Sequence, residues 1–174
     1  DDNNAFHNTE DVISWITKHK AFAELEVDKI PLNNLPDWKK DNYSIYHKDR
    51  KYFSVIAVKA EIGNREVHSW TQPLVKSAQE GLIAFLVKEI DGLIHFLVQA
   101  KLESGNFDII ELAPTVQCLT GNYRQGLNDY EVEFLDYALN PEQNNAVVKY
   151  STFQSEEGGR FYKEQNKNMI IFNY

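Results

Sequence analysis

Gln99, Lys101 and Glu103 stand at alternate positions in the run that begins at His95. That spacing points all three to one face of a strand. A Ser104-Gly105-Asn106 turn follows, then a second apolar run, Ile109-Ile110-Glu111-Leu112, that leads to Pro114. Beyond it come Thr115, Gln117, Asn122 and Tyr123. A lysine, an acid and several amides thus gather around two short strands. Lysine supplies a point charge for an anion, and amides both donate and accept. The inventory suits a pocket for a polar, anionic ligand. The competing reading is the solvated face of a hairpin strand.

Two further clusters carry chemistry. In His68-Ser69-Trp70-Thr71-Gln72-Pro73, strand alternation sets His68 and Trp70 on one face. A histidine titrates near neutrality, and an indole is either a core residue or a stacking platform for a base. In Ser155-Glu156-Glu157-Gly158-Gly159-Arg160-Phe161, an arginine one turn into a helix would bind anions. The two glutamates are equally explained as complements to the helix dipole.

The elements that position these residues read as follows. Asn8-Thr9-Glu10-Asp11 caps a helix over about 9–24. Residues 28–42, with Pro31 and Pro36, read as loop. Strands are expected over 43–47, 52–62 and 67–70, with Pro73 ending the last. A hairpin spans 82–90 and 93–102 around Asp91-Gly92, the clearest tight-turn signal in the chain. Residues 115–123 suit one or two helical turns, and 129–138 a helix with Val132, Phe134, Leu135 and Ala138 apolar. A strand over 146–153, a helix from Ser155 through Phe161 and a strand over 169–172 complete the chain. The pattern predicts a mixed, mostly antiparallel sheet with a few helices, an α+β or α/β sandwich, in one domain over 1–174.

The chain has 174 residues and a net charge of −8. The acidic balance argues against nucleic acid and anionic membrane as partners, while leaving room for a locally basic pocket. The one cysteine, Cys118, excludes a disulfide scaffold and reads as a small buried hydrophobe. No segment has the length and apolarity of a signal peptide or membrane span, so the cytoplasm is the expected location. The five histidines show no metal-ligand spacing. Glycine-rich phosphate loops and a G-x-S-x-G elbow are absent.

Several blocks taken together carry a resemblance. They are Trp70-Thr71-Gln72-Pro73-Leu74, Phe96 to Asn106, Leu112 to Gln117, Asn122-Tyr123, Ser155 to Phe161 and Asn166-Lys167-Asn168. In this order they resemble the NDP-hexose 2,3-dehydratases, over about the C-terminal two thirds of the chain. Ser104 stands where that pattern has proline. The resemblance implies a Nudix-like fold with the sheet flanked by helices, although the Nudix catalytic box is missing. It also implies a role in deoxysugar biosynthesis. The family removes the C2 hydroxyl of dTDP-4-keto-6-deoxyglucose and needs neither a metal nor another cofactor. Its members carry two tandem copies, so a single copy implies a homodimer.

The same resemblance implies roles for particular residues. Glu103 and His68 would transfer protons, Lys101 would stabilise the enolate or a phosphate, and Tyr123 would assist the leaving hydroxyl. Arg124 and Arg160 would hold the diphosphate. Trp70 or Tyr123 would stack on thymine. Gln72, Gln99, Asn106, Thr115, Gln117, Asn122 and Glu156 complete the expected substrate contacts. The alternatives are a non-catalytic dTDP-sugar-binding subunit or sensor, and a related sugar-nucleotide isomerase or epimerase.

Overall fold

Asn8 starts the first helix by a reciprocal cap, its side chain accepting from Asp11 N–H while the Asp11 carboxylate accepts from Asn8 N–H. Helix α1 runs Thr9–Phe22. This is a computed structural model, and the residues it describes are 5–118 and 131–174. The remaining elements in chain order are β1 Trp38–Lys40, β2 Ser44–His47, β3 Phe53–Glu61, β4 Ser69–Ser77, β5 Gly81–Ile90, β6 Leu93–Leu102, β7 Ile110–Pro114, β8 Val116–Cys118, α2 Leu135–Leu139, β9 Ala146–Ser155 and β10 Gln165–Asn173. No helix among the described residues is long and apolar enough to cross a membrane.

The α+β class is as expected, but the strands form two sheets rather than one. The first is the antiparallel meander β1-β2-β3-β4. The second is ordered β7-β6-β5-β10-β9, with β8 also paired to β5. Its central pair, β5 and β10, is parallel and the other pairs are antiparallel. The Asp91-Gly92 turn has positive φ at both residues, 51° and 80°, which matches the twist of the β5–β6 hairpin.

A buried cluster covers one face of the second sheet, while Leu74 of β4, Val87 of β5 and Ile110 and Ala113 of β7 are buried outside it. Leu82, Ala84 and Leu86 of β5, Val116 and Cys118 of β8, and Met169 and Ile171 of β10 form the cluster with Ala138 and Ala146. Val132, Leu135 and Tyr137 pack over it. By contrast, none of the 14 residues of α1 is buried.

Five local expectations need correction. Residues 28–42 contain strand β1, because the Asp41 carboxylate accepts from Tyr43 N–H and Ser44 N–H, both at 2.7 Å, and folds the chain back onto β2. Pro73 does not end a strand; it lies within β4, at the edge of its sheet. The backbone of Val75, two residues on, bonds outward, donating to Arg160 O at 2.8 Å and accepting from Tyr162 N–H at 2.7 Å. The nitrogen of Pro73 therefore faces the same open side and no ladder bond is lost.

Residues 116–118 form a strand instead of a helical turn, since Leu82–Ala84 of β5 offers a free ladder edge and buries Val116 and Cys118. Ser155 ends β9 and residues 156–161 lead toward β10 without forming a helix: Gly158-Gly159 disfavours helix, and the backbone of Phe161 pairs with Val75. The helix expected over 129–138 is confined to Leu135–Leu139, because Phe134 adopts a left-handed conformation at φ 59°; residues 129 and 130 lie outside the described residues.

Candidate functional site

The candidate site forms where β6 parts from β5. The two strands pair from Leu86↔Leu97 outward to the turn. Past Leu97, β6 pairs with β7 instead, while β8 takes its place beside β5 at Ala84↔Val116. Thr115 sits at this fork, 4% exposed. Its hydroxyl accepts from Leu86 N–H at 3.0 Å and donates to the Leu97 carbonyl, so the two backbone groups freed by the split are both satisfied.

The odd-numbered residues of β6 share the face of Leu97, which pairs with core residue Leu86. Gln99 and Lys101 thus point inward, and the solvated-face reading does not describe them. Gln99 Nε2 donates to Pro114 O at 2.8 Å and Thr115 O at 3.3 Å. Lys101 Nζ lies 2.7 Å from Glu103 Oε1 and 3.2 Å from both Gln117 O and Gln117 Oε1. The Lys101 side chain is 22% exposed and that of Glu103 46%. Glu111 stands opposite Lys101 in the register. A cavity of about 310 Å³ opens here, lined by Gln99, Lys101, Thr115 and Gln117 on the strands and by Glu131, Val132, Glu133 and Phe134 from the segment before α2. Burial pushes the Cys118 thiol up, and the neighbouring Lys101 charge draws it partly back. Cys118 is a free, buried thiol, in keeping with its reading as a core residue.

A second group of expected residues gathers at the edge of β4. Trp70 Nε1 donates to Gln72 Oε1 at 2.6 Å, and Gln72 Nε2 donates to Gly159 O at 2.8 Å. Arg160 follows that carbonyl, and its Nε lies 3.1 Å from Glu157 Oε2 in an exposed pair. Glu156 accepts from Asn166 Nδ2. The expected residues therefore divide between a β6–β8 fork and a β4–loop seam, on different sheets. His68 belongs to neither cluster of contacts: it is exposed on the β3–β4 connection, with Nδ1 3.3 Å from Ile62 O. Asn106 closes the turn after β6, its N–H donating to Glu103 O at 3.2 Å. Asn122, Tyr123 and Arg124 lie outside the described residues.

Sequence reasoning missed Glu164. It precedes Asn166 and Asn168 by even steps, one residue before β10, and is 9% exposed. Burial pushes its carboxyl up, nearby Ser77 draws it partly back, and the negative charges of Glu156 and Glu80 add to the rise. Ser77 Oγ, Glu164 Oε1 and Asn166 Oδ1 are all buried without a hydrogen-bond partner. The one sequence signal was the alternation of three polar residues entering an apolar strand. Among the described residues, no group of three His, Cys, Asp or Glu side chains is placed to hold a metal ion.

Comparison with known proteins adds to this geometry. The family model described as NDP-hexose 2,3-dehydratase matches residues 9–173. A dTDP-4-dehydro-6-deoxy-alpha-D-glucopyranose 2,3-dehydratase from Saccharopolyspora spinosa is 42% identical over 161 residues, covering 92% of this chain and 33% of that protein. Proteins of the same name from Amycolatopsis orientalis and Streptomyces violaceoruber are 41% and 40% identical, over 92% and 95% of this chain and 34% and 37% of their own lengths. The chain thus spans about a third of the length of the curated relatives it matches.

Proposed function

The chain belongs to the NDP-hexose 2,3-dehydratase family, and from that premise we propose that its fork cavity serves the 2,3-dehydration of a dTDP-4-keto-6-deoxyhexose in deoxysugar biosynthesis. The observation that carries the reading is the half-buried Lys101 ammonium held 2.7 Å from Glu103 at the wall of a polar cavity. It is the pairing of a cation with a carboxylate that an enolate elimination requires.

The chemistry runs as a hydro-lyase reaction. The C4 ketone acidifies the C3 proton, and the Glu103 carboxylate takes it. Negative charge moves to the C4 oxygen, where the Lys101 ammonium stabilises it. The enolate electrons return to form the C2=C3 bond, and the C2 hydroxyl leaves with a donated proton as water. The remaining C3 enol takes a proton at C2 and becomes a 3,4-diketone. No electrons enter or leave. Gln117, whose amide bonds Lys101, sets the ammonium's position. His68 and Tyr123 remain proposals for the acid, and Arg124 and Arg160 for the diphosphate.

Incubation with dTDP-4-keto-6-deoxyglucose, reductive trapping and mass spectrometry tests the reading; the expected result is loss of one water from the sugar. A second reading is a binding-only subunit. It is favoured by the three acceptors that already occupy the three donors of Lys101. Binding of dTDP without turnover selects it.

A homodimer belongs to the same proposal. Leu102 and Leu112 lie on one face of the β6–β7 pair, 42% and 48% exposed, and a second copy would cover them. Light scattering that gives a monomer at micromolar concentration would count against it. A Nudix-like relationship of the second sheet and a cytoplasmic location are part of the same reading.

A further inference from the structure

Helix α1 buries no residue, although Val12 and Ile16 turn toward the sheet. The space beneath its start is a cavity of about 530 Å³, lined mainly by apolar groups. Phe6 and Val12, His95 and Leu97 of β6, and Phe134 and Tyr137 are among the residues that line it. The Phe6 wall is built rather than loose. Phe6 N–H donates to His95 Nε2 at 2.9 Å, and the His95 ring meets the Phe6 ring edge-on at 6.4 Å. His95 Nδ1 lies 3.0 Å from Leu93 O.

This cavity and the Lys101 cavity share Leu97, Val98 and Phe134. Along β6 the inward residues change in order from His95 and Leu97 to Gln99 and Lys101. The two voids therefore adjoin along about 20 Å of strand; the first is lined by rings, and the second by the Lys101 cation together with Glu131 and Glu133. A ligand that fits both joins a planar apolar ring to a hydroxyl-bearing part with an anionic group for Lys101.

We propose that the ring-lined cavity between Phe6 and Phe134 holds the nucleobase of the nucleotide sugar, with the diphosphate lying toward Lys101. This rests on the nucleotide-sugar reading above. It moves base stacking away from Trp70, whose indole N–H is already committed to Gln72. Ring contact on a base is tolerant of sequence and is strengthened by a dry, apolar wall.

The test measures binding of dTDP and of inorganic pyrophosphate by calorimetry to the wild-type chain, Phe6→Ala, Phe134→Ala and Lys101→Ala. Phe6 and Phe134 are 66% and 42% exposed, so their removal spares the core. Each Phe variant is expected to lose at least about fivefold in dTDP affinity, with pyrophosphate affinity unchanged. Lys101→Ala is expected to weaken both ligands. Equal dTDP affinity in wild type and both Phe variants overturns the proposal, as does a Phe variant that changes self-association alone and so marks the cavity as a contact for a second copy. Wild type that binds pyrophosphate as well as dTDP also overturns it while leaving the Lys101 cavity standing. Wild type that binds neither removes the underlying reading and this inference together.

Discussion

The Thr115 hydroxyl bridges two strands that are parting: it accepts from Leu86 N–H at 3.0 Å and donates to the Leu97 carbonyl. The candidate site depends on that bridge, because Gln99 and Lys101 reach their partners only where β6 has left β5 and β8 has entered. Replacing Thr115 by Val keeps the shape and removes both bonds, leaving a buried donor and acceptor unpaired. Each such group costs about 1–3 kcal/mol. Urea denaturation is expected to show Thr115→Val destabilised by about 2 kcal/mol or more, with Thr115→Ser close to wild type. Equal stability of the Val variant would show that the fork closes without the hydroxyl.

Lys101 is expected to matter more than its neighbour Gln117. Lys101→Met removes the charge while keeping the apolar stem, and should lower turnover or dTDP affinity by at least about tenfold, the scale of one charge-assisted contact. Gln117→Leu loses only an orienting amide and should cost less. Steady-state kinetics decide it, with calorimetry as the second readout. A Lys101→Met variant with unchanged turnover and affinity removes this lysine from the site.

The alternation of Gln99, Lys101 and Glu103 was legible because strand geometry is local, and so were the Asp91-Gly92 hairpin and the capped start of α1. What was not legible depends on pairing at a distance. Residues 116–118 read as helical until β5 supplies a ladder edge, and Pro73 reads as a terminator until β4 is known to be an edge strand. Ser155-Glu156-Glu157 looks like a helix start until the Val75 backbone competes for the residues that follow. The division of the expected site residues between two sheets follows from strand order, which alternation and turn signals do not encode. Glu164 was invisible because its burial comes from the meeting of the β4–β5 and β9–β10 connections.

Glu164 also sets a pH dependence. Burial raises its folded-state pKa above the ordinary glutamate value of 4.5. The sign follows from linkage: the folded state binds this proton more tightly than the unfolded state. Its contribution to stability is therefore fully present below the unfolded pKa and is lost as pH rises through the raised folded pKa. Glu164→Gln fixes the neutral, hydrogen-bonding form. Melting curves are expected to show the variant gaining on wild type as pH climbs above about 4.5, with the difference levelling once Glu164 has ionised. A difference that grows instead as pH falls would mean that the buried carboxylate is held charged.

Helix α1 offers a test of how local order supports the ring-lined cavity. Its start depends on the reciprocal bonds between Asn8 and Asp11, and its far end is tied to the β6–β7 connection by the Lys20–Asp108 ion pair. Since no residue of the helix is buried, these ties are not backed by a core contact. Asn8→Ala removes the cap and should cost about 1 kcal/mol of helix stability. That loss is expected to appear as local opening rather than global unfolding, because the core lies on β5, β8 and β10. Amide hydrogen exchange should accelerate over Thr9–Phe22 while protection in β5 and β10 stays unchanged. Val12 walls the ring-lined cavity, so the same variant should weaken dTDP binding modestly and leave pyrophosphate binding intact. Uniform acceleration across both sheets would show instead that α1 is part of the cooperative core.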